Sequence, residues 1–216
     1  MILGDSEIKR MMAEGYFPAY PKLLINPASL NVRIGTSFLV PRRKWFGSVA
    51  LGDEVKYKKI VLQKGKAFKL RPGQFALATT IESINLPLHL AAFVQGRSSI
   101  GRAGLTVQNA GFIDPGFHGH ITLELKNETK NTILIRPGYP VAQIVFEQAQ
   151  GVERPYTGKY CGQTEATGSR MHLDKIPPAV LSCGGSFIRE NSKKYFAEHI
   201  DKQSIFAIIN SAAKNI

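Results

Sequence analysis

From Leu30 onward the apolar residues fall in short runs, each cut by Gly, Pro or Asn. Leu30, Val32 and Ile34 alternate with polar positions and stop at Gly35. Alternation of this kind puts apolar side chains on one face of a strand. Further runs lie at Ile60–Leu62, Phe75–Thr80, Leu90–Val94, Ile121–Leu125, Thr132–Ile135 and Val141–Phe146. The triplets Arg71-Pro72-Gly73, Asp114-Pro115-Gly116 and Arg136-Pro137-Gly138 punctuate them, because Pro presets φ for a turn and Gly tolerates positive φ. Many short strands with tight turns predict an all-β fold, a barrel or jelly roll. There is no βαβ rhythm and no GxGxxG or GxxxxGK(S/T) loop.

The two ends differ from this pattern. Asp5 or Ser6 is placed to cap a short N-terminal helix that carries Ile8, Met11 and Met12 and stops near Gly15. Residues 151–170, GVERPYTGKYCGQTEATGSR, are polar and Gly-rich and predict a mobile segment rather than core. A Pro-Pro stretch, Ile176–Val180, follows. From Ser192 a last helix is predicted, with Phe196, Ile200, Ile205, Ile209, Ala212 and Ile216 near helical spacing. The expected organisation is a barrel domain over residues 1–170, ending in the segment 151–170, and a partly helical appendage over 171–216. That appendage would pack on the barrel or on a neighbouring subunit.

Composition narrows the class. The chain has 216 residues, 44% hydrophobic and 20% charged, which suits one packed domain with or without an appendage. No apolar run approaches the ~20 residues that span a bilayer, and MILGDSEIKRMM lacks the order of a signal peptide. Cys161 and Cys183 make neither a zinc pattern nor a disulfide framework. The expectation is a cytoplasmic protein. Net charge is +12, concentrated in the first third around Arg42, Arg43, Lys44, Lys56, Lys58 and Lys59. A nucleic-acid face or a surface attracting nucleotide triphosphates would read this way, as would a solvated basic face. With only Trp45 and Tyr57 interleaved, the pattern gives little support to a stacking platform for nucleic acid.

The chemistry-bearing stretch is residues 95–125, QGRSSIGRAGLTVQNAGFIDPGFHGHITLEL. Arg97, Ser98, Ser99 and Arg102, spaced by glycines, form a compact donor set for phosphate oxygens; the same pattern also fits an exposed polar turn. Asp114 before Pro-Gly fits a turn. In Ile121–Leu125 the odd-numbered residues share one face, and Thr122 and Glu124 share the other. Glu124 is either a solvent-facing side chain or a general base held beside an arginine or a substrate.

In combination, GRSS-x-G-R, AGFIDPGF-x-G-x-ITLEL-x-N and a late PYxGKYxxQ resemble the dCTP deaminase family, including its bifunctional deaminase–dUTPase branch. The resemblance runs from the N-terminus to about Arg170 and takes in Pro27-Ala28-Ser29 with Val32-Arg33-Ile34-Gly35. It implies a dUTPase-like barrel and a homotrimer with sites at subunit interfaces. It also implies dCTP or dUTP as substrate with Mg²⁺ on the triphosphate, dTTP as a candidate inhibitor, and no zinc. The H-x-E and P-C-x-x-C ligand motifs of zinc deaminases are missing from the chain.

The resemblance also assigns roles. Glu124 matches the deamination glutamate. Ser98 and Arg102 match residues near the catalytic water and the phosphates, and Arg97 and Ser99 complete that motif. Ala110 matches a backbone contact to the water and amine. Asp114 matches the aspartate that meets the deoxyribose and, in dUTP-hydrolysing members, activates water. Tyr156, Lys159 and Gln163 match a lid over the triphosphate. Asn31 stands where the family has Asp, and Leu105–Asn109 forms a loop one residue shorter than in deaminases. The expected reaction is deamination of dCTP to dUTP and ammonia. The alternatives are a bifunctional enzyme releasing dUMP, pyrophosphate and ammonia, or a dUTPase-like enzyme acting on a modified deoxycytidine triphosphate.

Overall fold

The computed structural model describes residues 1–17, 20–42, 48–108 and 111–175. The elements in chain order are α1 (Asp5–Ala13), β1 (Ile25–Asn26), β2 (Ser29–Pro41), β3 (Tyr57–Val61), β4 (Phe68–Leu70), β5 (Phe75–Asn85), β6 (Leu90–Gly96), α2 (Ser98–Arg102), β7 (Leu105–Gln108), β8 (Phe112–Ile113), β9 (His118–Asn127), β10 (Ile133–Ile135) and β11 (Pro140–Gln148). The main sheet runs β7-β9-β5-β2-β11-β6-β8, with β1 and β3 added to β2, while β10 and β4 pair separately. Every pairing in it is antiparallel. The sheet curls into a half-barrel. By contacts the chain divides into Met1–His172 and Leu173–Ile216. The helix expected from Ser192 lies outside the described residues.

The inner face holds one apolar core, in which Phe38, Phe146, Leu30, Ile34, Leu123, Leu125 and Ile144 are fully buried. Phe38 stacks on Phe68 with ring centroids 4.3 Å apart, and Phe17 closes on Phe146 at 4.9 Å. The alternation read for β9 is realised: Ile121, Leu123 and Leu125 face the core, and Thr122, Glu124 and Lys126 face the other way.

Gly35 does not end the strand. It is the pivot at which β2 passes from pairing with β11, over Leu30–Arg33, to pairing with β5 and β3. The register against β5 shifts between Ile34 and Phe38. A Cβ at position 35 would stand 3.0 Å from Thr79 Cγ2 and 3.1 Å from Thr79 O, so glycine here permits a close crossing of two strands. The register of β5 against β9 breaks in turn between Thr79 and Ser83. There Thr80 Oγ1 accepts the Ile121 N–H at 2.9 Å, substituting for a ladder bond. Glu82 turns into the protein at this break and is 3% exposed. It accepts from the Arg33 N–H at 2.7 Å and from Arg33 Nε at 2.6 Å.

Four local expectations are corrected. Neither Asp5 nor Ser6 caps α1: Gly4 is the N-cap, without a side-chain bond, and Asp5 is the first helical residue. The GRSS motif is not a turn but opens a short helix, α2. Leu105–Gln108 is strand β7 rather than loop, paired with Glu124–Asn127 of β9. Finally, residues 151–170 are docked. The Tyr156 N–H donates to Pro115 O at 2.8 Å, Gly162 N–H to His118 O at 2.8 Å, and His120 N–H to Gln163 O at 2.9 Å. This docking requires glycine on the sheet side. A Cβ at Gly119 (φ 129°) would stand 2.7 Å from Gln163 O, and one at Gly116 (φ 84°) 2.4 Å from Pro155 Cβ. Polar composition correctly excluded this segment from the main core, but partners distant in sequence hold it down.

Candidate active site

The outer face of β9 and β5, the β8 strand and the docked segment enclose a cavity of about 380 Å³, within the range of small-molecule sites. Glu124, Asp114, Tyr156 and Gln163 all line it. Its apolar walls include Phe75, Leu77, Phe112 and Phe117.

Strand alternation puts Glu124 here, since its neighbours Leu123 and Leu125 are taken by the core. Its backbone is fixed on both sides, opposite Leu77 of β5 and Gln108 of β7. Burial raises the Glu124 carboxyl above the ordinary glutamate value of 4.5, because apolar walls disfavour the charged form. A carboxylate in such a place is a stronger base than a solvated one and can hold a proton between two steps.

Asp114 opens a turn closed by the Phe117 N–H on Asp114 O at 3.1 Å, and its side chain is exposed. Tyr156 lies against Phe117 with centroids 6.1 Å apart. The Gln163 amide is oriented by the strand: Nε2 donates to His120 O at 2.7 Å, and Oε1 accepts from Thr122 Oγ1 at 3.4 Å.

The other expected site residues stand elsewhere. Ser98, Ser99 and Arg102 are exposed on α2 and, like Arg97, are not among the lining residues. Arg97 Nη1 donates to Pro140 O at 2.8 Å. Lys159 also stands outside the lining, with Nζ 5.6 Å from the Tyr160 ring centroid. Ala110 lies outside the described residues. On the basic face, Arg42, Lys56, Lys58 and Lys59 are exposed, and Lys59 pairs with Glu165 of the docked segment at 2.5 Å. Among the described residues no group of three or more His, Cys, Asp or Glu converges as metal ligands, and no helix is long and apolar enough to cross a membrane.

Sequence reasoning missed Tyr57, Phe75, Thr122 and Tyr160 as cavity residues. Thr122 was readable, because alternation already put it on the face of Glu124. Tyr57 carries no local signal, since it arrives through the pairing of β3 with the far end of β2.

Fold and cavity define an antiparallel half-barrel protein with a half-buried carboxylate facing an apolar-walled pocket. The sequence profile of the dCTP deaminase-like family matches residues 2–149. A relative from Sulfurihydrogenibium sp. (strain YO3AOP1), named "dCTP deaminase, dUMP-forming", is 41% identical over 187 residues, covering 81% of this chain and 99% of the relative. One of the same name from Methanothermobacter thermautotrophicus is 42% identical over 187 residues, covering 80% and 95%. A Natronomonas pharaonis protein named "dCTP deaminase" is 36% identical over 189 residues, covering 81% and 97%. The crystal structure of the 2'-deoxycytidine 5'-triphosphate deaminase from Agrobacterium tumefaciens shares the fold, with a TM-score of 0.56 at 23% identity over 68% of this chain and 48% of that one. The chain belongs to the dCTP deaminase-like family.

Proposed function

We propose that this protein hydrolyses the Mg²⁺ complex of dCTP in two steps, releasing ammonia and then pyrophosphate and leaving dUMP. The observation that carries the reading is Glu124, its carboxyl raised by burial, sharing one cavity with Asp114 beneath a docked segment. In the first step Glu124 takes a proton from water as the oxygen attacks C4 of cytosine. It delivers that proton to N3 of the ring and then carries the hydroxyl proton on C4 to the departing amine, so that ammonia leaves and the C4 carbonyl forms. In the second step Asp114 orients a water toward the α-phosphate, and pyrophosphate leaves with its Mg²⁺. Mg²⁺ belongs to the substrate here, because it favours phosphate oxygens and retains several waters. Curated relatives named "dUMP-forming" support the two-step course over a stop at dUTP.

Arg97, Ser98, Ser99 and Arg102 enter this reading from a neighbouring copy. Ser98, Ser99 and Arg102 are exposed on α2, Arg97 is half-buried just before it, and all four lie outside their own chain's cavity; they would complete the phosphate side of another protomer's site in a homotrimer. Ala110 would offer its backbone to the water and amine. Tyr156, Lys159 and Gln163 would act from the docked segment as a lid, Lys159 turning from Tyr160 toward the phosphates. dTTP, with the same sugar and triphosphate but nothing to deaminate at C4, is a candidate inhibitor of this cavity.

Asp114→Asn separates the two steps. Ammonia and pyrophosphate released from dCTP should fall unequally, with pyrophosphate release lowered about 10²-fold, the scale of losing one general base, and dUTP accumulating. Equal loss of both products would mean that Asp114 only binds the sugar.

A further inference from the structure

Among the described residues, the backbone bonding of the docked segment ends at the His120 N–H to Gln163 O contact. Beyond it, side chains of the sheet hold the segment. Thr167 N–H donates to Thr122 Oγ1 at 3.1 Å, and Ser169 N–H donates to Tyr57 Oη at 3.1 Å. Between these two amides, Gly168 presses on the Tyr57 ring, and a Cβ there would stand 2.5 Å from Tyr57 Cε2. Just before them, Ala166 is 5% exposed and buried with Leu39 and Leu77, with Tyr57 and Phe75 packed alongside. A methyl peg, a glycine without room for a side chain, and two amides on two hydroxyls make a fitted seat. Thr122 and Tyr57 also line the cavity of Glu124, and Thr122 shares the Glu124 face of β9, two residues away.

We propose that Thr122 and Tyr57 are positioning residues whose hydroxyls latch the lid at Thr167 and Ser169 and so set the roof of the nucleotide cavity. The proposal rests on the reading of that cavity as the dCTP site. Thr122 acts twice: the hydroxyl that receives the Thr167 amide also donates to Gln163 Oε1, so one atom fixes both the lid backbone and the orientation of a lid amide. A seat made of side-chain hydroxyls can release without breaking a strand ladder. That suits a segment that must open for nucleotide and close over it.

The latch contributes to holding substrate in ground and transition states alike, so its loss raises KM and spares kcat. Thr122→Val and Tyr57→Phe each remove one hydroxyl and keep the shape. Tyr57→Phe is expected to raise KM for dCTP about fivefold, the scale of one intramolecular hydrogen bond, and Thr122→Val, which loses two, by more than that, each with kcat within about twofold of the parent. Thr122→Ser should restore KM. In the ligand-free full-length protein, amide hydrogen exchange at Thr167 should speed up in Thr122→Val, and that at Ser169 in Tyr57→Phe. Unchanged exchange at both amides, or a fall in kcat with KM unmoved, would overturn the latch. A parent protein that turns over no dCTP would instead refute the deaminase reading, and the exchange rates would still judge the latch.

Discussion

Glu124→Gln is expected to lose dCTP deamination by about 10²–10⁴-fold, the usual worth of a positioned general base, while still binding dCTP. The amide keeps the side chain's length and its place between Leu77 and Gln108 but cannot take a proton from water. Calorimetric titration with dCTP and Mg²⁺ checks the binding half, and ammonia release checks the chemistry. Burial raises this carboxyl, which gives two signs to test. As a base it must be ionised, so kcat/KM should fall on an acid limb that lies above the ordinary glutamate value of 4.5. As a folded-state group with a raised pKa, it favours folding when protonated, and that contribution is lost as pH rises through the folded-state value. Glu124→Gln should therefore be more stable than the parent at neutral pH and level with it in acid. A variant equally active would remove Glu124 from its role, and one less stable at neutral pH would contradict the cost of burying its charge.

Arg33→Met should lower folding stability by about 3 kcal/mol, the lower end of the cost of stranding one partner of a buried ion pair. Arg33 keeps a solvent edge, at 32% exposed, whereas Glu82 is only 3% exposed. Without the guanidinium, Glu82 retains, among the described residues, only the Arg33 backbone N–H at 2.7 Å as a donor. Replacing both residues by apolar ones should recover much of the loss, because the stranded charge then disappears. Urea unfolding midpoints of the single and double variants decide this. The pair stands where β2 crosses β5 and where β5 leaves register with β9, so the double variant also tests whether this crossing shapes the cavity on β9.

What could be read from the chain follows the range of the forces involved. The strands at Phe75, Leu90, Ile121 and Val141 were legible because each buries one face, and burial imposes a period of two. Glu124 stood out as a polar residue in an apolar strand and Asp114 as a turn residue, but their site roles came only from the family resemblance. Gly35 was misread because a glycine that ends a strand and one that lets two strands cross look alike locally. The docking of the segment after Gly151 was not legible because its partners, Pro115, His118, His120, Thr122 and Tyr57, lie far away in sequence. Tyr57 and Phe75 entered the site only through strand pairing. Arg97 to Arg102 were singled out as donors, yet their own chain leaves them outside its cavity, as expected if a second copy is needed.

The central claim is that this chain carries dCTP through to dUMP. The most direct test incubates the purified protein with dCTP and Mg²⁺ and quantifies ammonia, pyrophosphate, dUTP and dUMP by chromatography over the course of the reaction. The account predicts ammonia, pyrophosphate and dUMP in equal amounts, with dUTP never more than a trace. Accumulating dUTP without pyrophosphate would confine the chain to deamination, and dCTP left intact with no ammonia released would contradict the account at its root.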